Sequence, residues 1–270
     1  MEDIRQAVER AKMELESRSA PRLAPSRNRA AQDKQQSERT APLREVRLES
    51  AFLQSRRIIA HDGKDPRSMP FDILRTEVSR AMDFNGWKTL AVTSPTPGCG
   101  KTFLSINLAL SMARALERKV SLVDFDLRRP QIARTLNLPD KQGVTDVLEG
   151  RSGADEATIN LCVGNSNLEV MPTASSSNPS DLVASSATRQ FLDGLRHHAQ
   201  AEIVVIDLPP ILTGHDVMSI LPHVDCVLLV AAVGTSKVSE IEQCKKHLQT
   251  TEMVRFVLNK APLANSHGYY

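Results

Sequence analysis

The chain has 270 residues, with 34 Lys and Arg against 32 Asp and Glu and a formal net charge of +2. Apolar side chains make up 41% of the residues and aromatic side chains 4%. A chain of this length can form a single α/β domain, and its nearly balanced charge gives no reason to expect binding to nucleic acid. It has no run of about 18 apolar residues and no apolar leader, so we expect a cytoplasmic protein with neither a membrane span nor a secretory signal.

The four cysteines indicate neither a zinc site nor disulfide bonds. They are widely spaced and include no C-x-x-C pair, and thiols in a reducing compartment stay reduced. The chain has two tyrosines, Tyr269 and Tyr270, which are its last two residues.

Residues 1–18 are predicted to form an amphipathic helix. Ile4, Val8, Ala11 and Leu15 recur at helical spacing and so lie on one face. The pattern fits both a helix that docks on a partner and a helix that is simply solvated.

Residues 19–65 are predicted to be a mostly disordered linker. The first part, residues 19–42, is polar, interrupted by proline and free of aromatic side chains, so it cannot bury enough surface to offset the entropy of an ordered chain. The second part, residues 43–65, contains a short apolar cluster that is able to pack on the next domain. This cluster comprises Phe52, Leu53, Ile58 and Ile59.

Residues 66–262 are predicted to form one domain of alternating helices and strands. A helix begins near Pro70, because proline suits the first turn of a helix. Further helices are expected at residues 102–117, 178–199 and 237–250, and strands at residues 89–94, 119–125, 168–172, 202–208, 225–233 and 255–260.

The predicted strands are apolar throughout rather than alternating, and helical segments separate them. This pattern is typical of parallel strands that are covered on both faces. The fold class is therefore α/β, a mostly parallel sheet with helices on both faces, preceded by a largely disordered N-terminal segment. In such sheets ligands bind at the carboxyl ends of the strands.

The strongest local signal is TSPTPGCGKTFLSINLA at residues 93–109, which runs from a strand through a turn into a helix. Glycines let the backbone approach a phosphate closely, and the first helical turn directs free N–H groups at it. Pro95 occupies the first glycine position of the pattern G-x-x-x-x-G-K-[ST], so the N–H groups must come from the residues after the prolines. The residues predicted to bind the nucleotide are Gly98, Cys99, Gly100, Lys101, Thr102 and Phe103.

Within this loop, two side chains have predicted chemical roles. The amine of Lys101 would reach the β- and γ-phosphates, and the hydroxyl of Thr102 would bind Mg²⁺.

Two aspartates follow one strand in VSLVDFDLRRP, residues 120–130. Alternation along the strand directs Asp124 and Asp126 to the same side, where two carboxylates repel each other unless a cation or a reacting group lies between them. The alternative is that both charges merely cap the end of the strand.

A third acidic residue, Asp207, ends the apolar strand in EIVVIDLPP at residues 202–210. An aspartate at the end of a neighbouring strand is where nucleotide sites hold Mg²⁺, usually through a water molecule.

Together these motifs resemble those of the bacterial tyrosine autokinases of capsule and exopolysaccharide synthesis, a branch of the deviant P-loop ATPases. The resemblance covers about residues 68–260. LVDFDLR at 122–128 is similar to the family's D-x-D-x-R motif, SPTPGCGKT at 94–102 to its phosphate loop, and VVIDLPP at 204–210 to its D-x-P-P strand. The related cell-division and chromosome-partitioning ATPases carry a lysine early in the loop, where this chain has Thr96.

The resemblance implies an ATP- and Mg²⁺-dependent protein-tyrosine kinase. By it, Asp124 would accept the proton of the tyrosine hydroxyl, while Arg128 either orients acceptor or partner groups or pairs with a carboxylate. The residues implied to be catalytic are Lys101, Asp124, Asp126 and Arg128, and those implied to hold Mg²⁺ are Thr102, Asp126 and Asp207.

The resemblance also implies that the phosphate acceptors are Tyr269 and Tyr270, in a flexible tail at residues 263–270. Tyr270 lies ten positions after Lys260, which is enough for an extended chain to span roughly 35 Å.

The implied partners are further copies of the chain in a homo-oligomer and a membrane protein of the polysaccharide chain-length regulator type. That partner would be a separate chain and would recruit the kinase to the inner face of the cytoplasmic membrane. The family's N-terminal helix, which helps its subunits to pack, typically reads E-x-x-R-x-x-R, whereas these positions are Met69, Asp72 and Arg75 here.

A second interpretation, from another class of protein, is a nucleotide-dependent switch ATPase that recruits partners without phosphorylating them. The loop and the aspartate motifs fit both interpretations. Phosphotyrosine at Tyr269 or Tyr270 would separate them.

Overall fold

A computed structural model describes residues 43–115, 118–139, 142–197, 201–249, 251 and 254–262 of the chain. The predicted helix at residues 1–18 and the predicted tail at residues 263–270 lie outside these ranges.

The described residues form an eight-stranded sheet with the strand order β1-β4-β5-β3-β6-β2-β7-β8. Neighbouring strands pair in parallel, except that β4 and β5 are antiparallel. The predicted α/β class with a mostly parallel sheet is therefore confirmed. The strands are β1 (Arg44–Arg47), β2 (Thr89–Thr93), β3 (Val120–Asp124), β4 (Ile159–Val163), β5 (Ser166–Met171), β6 (Ile203–Asp207), β7 (Cys226–Ala232) and β8 (Val254–Asn259).

Helices cover both faces of this sheet. They are α1 (Ser50–Ser55), α2 (Met69–Asn85), α3 (Lys101–Ala115), α4 (Ile132–Leu136), α5 (Val144–Leu148), α6 (Ala154–Ala157), α7 (Pro179–Ala184), α8 (Ser186–His197), α9 (Asp216–Ile220) and α10 (Val238–His247). Among the described residues, no helix is long and apolar enough to cross a membrane.

The central strands are buried on both faces, which explains their continuous apolar sequences. Leu90 and Val92 of β2 belong to an apolar cluster that also contains residues of α2 and α3. Ala91, between them, belongs to a second cluster that contains Leu192 of α8 and Cys244 of α10. Successive side chains of a strand point to opposite faces, so a sheet covered on both sides requires apolar residues at every position.

The linker predicted at residues 19–65 is too long at its C-terminal end, because residues 43–65 are part of the folded domain. Strand β1 pairs with β4, and the side chain of Ile58 is fully buried. The Oδ1 atom of Asn107 in α3 accepts hydrogen bonds from the backbone N–H groups of Ile59, at 2.9 Å, and Ala60, at 3.1 Å. Apolar packing and this buried acceptor together offset the entropy of ordering the segment.

His61, in the same segment, is buried with 9% of its surface exposed. Neither ring nitrogen has a hydrogen-bond partner in the part of the chain that the structure describes. Burial lowers the pKa of His61 from its usual 6.5, although the charges of Asp62 and Asp65 act to raise it; the nearby Arg114 lowers it further.

We therefore expect acid to destabilise the fold through His61. Because the pKa is lower in the folded than in the unfolded chain, the stability associated with neutral His61 is present above about pH 6.5 and is lost as the pH falls through the folded-state pKa. Thermal denaturation between about pH 5 and pH 8 measures this effect. The melting temperature of His61→Phe should fall less on acidification than that of the wild type, and His247→Phe, at an exposed helical site, should behave as the wild type. Equal pH slopes for all three proteins would rule out the effect.

Candidate active site

The turn between β2 and α3 has the conformation expected of a phosphate-binding loop. Gly98 and Gly100 have φ angles of +83° and +90°, a region that side-chain-bearing residues rarely adopt. Helix α3 begins at Lys101, so its first N–H groups have no partner within the helix and are available to an anion.

An open cavity of about 580 Å³ lies against this loop. Residues from three predicted motifs line it, because the ends of β2, β3 and β6 meet at the same edge of the sheet. Its lining comprises Pro97, Gly98, Gly100, Lys101, Thr102, Phe103, Asp126, Arg128, Arg129, Gln131, Pro209, Pro210 and Thr213.

Lys101 bridges two of the predicted acidic residues. Its Nζ atom lies 2.9 Å from Oδ2 of Asp126 and 3.6 Å from Oδ2 of Asp207. Burial acts to lower the pKa of Lys101, but the charges of Asp207 and Asp126 outweigh it and raise the pKa. The amine of Lys101 therefore stays charged. It can bind a phosphate once its contacts with the two carboxylates are broken.

Asp207 is fully buried at the end of β6 and bound by two hydroxyl groups of α3. Thr102 donates to Oδ2 at 2.6 Å, and Ser105 donates to Oδ1 at 3.0 Å. Burial raises the pKa of Asp207, although the charge of Lys101 and the two hydroxyl groups act against this.

The oxygen atoms of Thr102, Asp126 and Asp207 fit the hard ligands that Mg²⁺ prefers. No group of three or more His, Cys, Asp or Glu side chains that could hold a metal occurs in the described ranges. A magnesium ion at this site would therefore need further oxygen ligands, and nucleotide phosphates supply them in most such sites.

Asp124 lies opposite Asp207 in the register of β3 and β6 but does not line the cavity. It is fully buried. Its Oδ2 accepts the N–H groups of Gln131 at 3.1 Å and Ile132 at 2.9 Å, and its Oδ1 accepts that of Asp126 at 3.3 Å. Burial, followed by the charge of Asp207, raises the pKa of Asp124 to about 8.

Arg128, which lines the cavity, pairs with a carboxylate. Its Nε donates to Oδ2 of Asp216 at 2.5 Å, and its Nη2 donates to Oγ of Ser180 at 2.6 Å. The sequence left two roles open for Arg128, orienting acceptor or partner groups and pairing with a carboxylate. The structure shows the second. These contacts hold the guanidinium beside the cavity.

The remaining predicted loop residues differ in position. Phe103 lines the cavity, whereas the side chain of Cys99 is fully buried and its Sγ lies 3.3 Å from Oγ of Ser236. Cys99 can therefore contribute to an anion site only through its backbone.

Two residues at the loop were not predicted as site residues. Asn259, the last residue of β8, donates from Nδ2 to the carbonyl of Cys99 at 2.9 Å, and Lys260 donates from Nζ to the carbonyl of Gly98 at 2.7 Å. The available signal was their position, since both lie at the end of the strand predicted at residues 255–260.

A glycine turn entering a helix, a lysine among carboxylates and a threonine bound to a strand-end aspartate define the protein as a P-loop NTPase. The family model of ParA, described as NUBPL iron-transfer P-loop NTPase, matches residues 87–258. Tyrosine-protein kinase CpsD of Streptococcus pneumoniae serotype 4 is 34% identical over 186 residues, which cover 67% of this chain and 80% of CpsD. The chain belongs to the bacterial tyrosine kinase family within these NTPases, as the motifs predicted.

Two further comparisons agree with this assignment. EpsB of Ralstonia nicotianae is 30% identical over 242 residues, which cover 85% of this chain but 31% of EpsB. The chain thus spans about a third of that relative's length. The solved kinase domain of Escherichia coli tyrosine kinase ETK is 27% identical, with a TM-score of 0.69 and coverage of 88% of this chain and 89% of that domain.

Proposed function

We propose that this protein is an ATP- and Mg²⁺-dependent protein-tyrosine kinase that phosphorylates its own Tyr269 and Tyr270. The observation that carries the proposal is a cluster beside the cavity, in which Lys101 contacts Asp126 and Asp207 and Thr102 donates a hydrogen bond to Asp207. Phosphoryl transfer depends mainly on alignment and charge neutralisation, and this cluster supplies groups for both.

In the proposed reaction the tyrosine oxygen forms a bond to the γ-phosphorus, the bond from that phosphorus to the bridging oxygen breaks, and ADP leaves. Lys101 and the loop N–H groups would bind the phosphates, and Thr102, Asp126 and Asp207 would hold Mg²⁺. When bound, Mg²⁺ neutralises negative charge on the phosphates.

Asp124 is the proposed acceptor of the tyrosine proton. Its raised pKa of about 8 supports this role, because a general base works best when its pKa lies near the working pH. Its carboxylate is buried, does not line the cavity and is bound by backbone N–H groups. Direct contact with a tyrosine therefore requires the segment from Asp126 to Ile132 to shift when the substrate binds.

The proposed biological role is the regulation of capsule or exopolysaccharide synthesis and export, through a membrane chain-length regulator on a separate chain and a homo-oligomer of the kinase. The family resemblance supports these partners. Subunit packing by the family's helix motif is not supported, because Asp72 replaces a motif arginine and binds Arg75, Ser111 and Arg114 of its own chain.

The match to the ParA model favours a second candidate, a switch ATPase that hydrolyses ATP and recruits partners. The same cavity would bind the nucleotide, but no phosphate would be transferred to protein.

The decisive experiment is incubation of the purified protein with ATP and Mg²⁺, followed by mass spectrometry of the peptide that contains Tyr269 and Tyr270. We expect phosphate on at least one of them in the wild type and on neither in the Tyr269→Phe, Tyr270→Phe double variant. ATP hydrolysis without phosphotyrosine, on the chain itself or on an added tyrosine polymer, would reject the kinase and leave the switch.

A further inference from the structure

Strand β8 is joined to the phosphate-binding loop by two side-chain hydrogen bonds. Asn259 donates from Nδ2 to the carbonyl oxygen of Cys99 at 2.9 Å. Lys260 donates from Nζ to the carbonyl oxygen of Gly98 at 2.7 Å. Two successive carbonyl groups of the loop are thus held by two successive residues that lie about 160 positions later in the chain.

These bonds fix the direction of the loop's donors as well as its acceptors. A trans peptide is planar, so its N–H group points opposite to its C=O group, and no peptide bond in the described residues is cis. Because the carbonyls of Gly98 and Cys99 point toward β8, the N–H groups of Cys99 and Gly100 point away from it. Gly98 and Gly100 line the cavity, so this orientation makes the N–H groups available to a bound anion.

The conformations of Asn259 and Lys260 are closely constrained. The N–H group of Lys260 donates to Oδ1 of Asn259 at 2.8 Å, and Lys260 has a φ of +57°, which is uncommon for a residue other than glycine. A Cβ atom on Gly100 would lie 2.2 Å from Nδ2 of Asn259. The amide of Asn259 thus occupies the space that only a glycine at position 100 leaves open.

We propose that Asn259 and Lys260 are positioning residues, which hold the phosphate-binding loop so that the N–H groups of Cys99 and Gly100 face the β-phosphate of a bound nucleotide. The proposal rests on the proposed function only in that the loop binds nucleotide phosphates. It does not require phosphoryl transfer to tyrosine.

Three variants test the two side chains separately. Asn259→Asp keeps the acceptor for the N–H group of Lys260 but replaces the donor to Cys99 by a carboxylate oxygen. Lys260→Met removes the ammonium group and keeps a long side chain, and Lys260→Arg restores a cationic donor. The matched control is Lys246→Met, which removes the same charge from an exposed site on α10.

Binding of ADP and of AMP is measured by calorimetry in the presence of Mg²⁺ at one salt concentration, together with the melting temperature of the nucleotide-free protein. We expect Asn259→Asp and Lys260→Met each to weaken ADP binding about tenfold, the loss typical of one such hydrogen bond. AMP has no β-phosphate, so its affinity and the melting temperatures should stay close to those of the wild type. Lys260→Arg should recover most of the ADP affinity, and Lys246→Met should lose none.

Wild-type ADP affinity in both variants would overturn the proposal. Equal losses for ADP and AMP, accompanied by lower melting temperatures, would also overturn it and show a purely structural role. A wild type that binds ADP but transfers no phosphate would reject the kinase proposal alone, and the positioning role would still be decided by the variants. A wild type that binds neither ADP nor ATP would overturn both.

Discussion

Replacing Lys101 with methionine is expected to weaken nucleotide binding strongly and to remove nearly all phosphoryl transfer. The lost ammonium group is the buried cation that faces Asp126 and Asp207, and without it the phosphates of ATP would meet these carboxylates unscreened. A hydrogen bond to a charged group contributes about 1.5–3 kcal/mol, so the loss of this contact alone weakens ADP binding about 10- to 100-fold. Transfer should fall by roughly 1000-fold or more, because the same cation stabilises charge that develops during the reaction.

The folded state should also be less stable in this variant. Removing one partner of a buried ion pair costs about 3–5 kcal/mol, and the side chain of Lys101 is 11% exposed. Binding must therefore be measured well below the melting temperature. Lys246→Met, on the exposed face of α10, serves as the control for loss of charge. Nucleotide affinity in Lys101→Met equal to that of the control would remove Lys101 from the phosphate site.

The sequence was sufficient to predict that three charged side chains of the site lie close together. Lys101, Asp126 and Asp207 lie in different motifs, but each follows or ends a predicted strand, and the ends of parallel strands gather at one edge of the sheet. The residues of the phosphate-binding loop could be predicted for the same reason, because the loop follows a predicted strand. The resemblance added proposed roles but was not needed to predict their proximity.

One edge of the sheet, formed by β1 and β4, was not predicted, because these two strands lack the continuous apolar pattern that identifies central strands. Strand β1 is the short charged segment REVR, which is mostly exposed and is held through its pairing with β4. Strand β4 pairs antiparallel with β5 from the next residues of the chain, a local arrangement outside the expected alternation of helix and strand.

The helix predicted over residues 178–199 is two helices, α7 and α8, for a local reason. Ser185 adopts an extended conformation between them, and its Oγ accepts the N–H group of Thr188 at 3.2 Å. A serine that binds the backbone three residues ahead caps the start of a helix. A continuous helical pattern hides such a break, because serine is also tolerated inside a helix.

Contacts between residues far apart in the chain could not be predicted from the sequence. The bonds from Asn107 to Ile59 and Ala60, and those from Asn259 and Lys260 to the loop, depend on where the sheet places each element. Both asparagines lie in segments that were predicted as helix or strand, but neither segment indicates which distant residue the side chain contacts.

Replacing Asp124 with asparagine is expected to stop phosphoryl transfer and to leave nucleotide binding largely intact. The amide can keep one oxygen as the acceptor for the N–H groups of Gln131 and Ile132 and loses only the longer contact, at 3.3 Å, with the N–H group of Asp126. The loop between β3 and α4 should therefore largely retain its conformation. The amide cannot accept a proton from tyrosine at neutral pH. We expect ADP affinity within about threefold of the wild type and transfer reduced by at least about 100-fold, the lower range for loss of a general base.

Asp126→Asn separates this role from that of the neighbouring carboxylate, because Asp126 lines the cavity and binds Lys101 whereas Asp124 does neither. Since Asp126 is a proposed ligand of Mg²⁺, its loss should change the Mg²⁺ concentration required for ADP binding, and Asp124→Asn should not. Asp155→Asn, at an exposed site, controls for the change of charge. Transfer by Asp124→Asn at the rate of this control would remove Asp124 as the base. If Asp126→Asn then abolished transfer while its Mg²⁺ requirement stayed normal, the proton acceptor would be the carboxylate that faces the cavity.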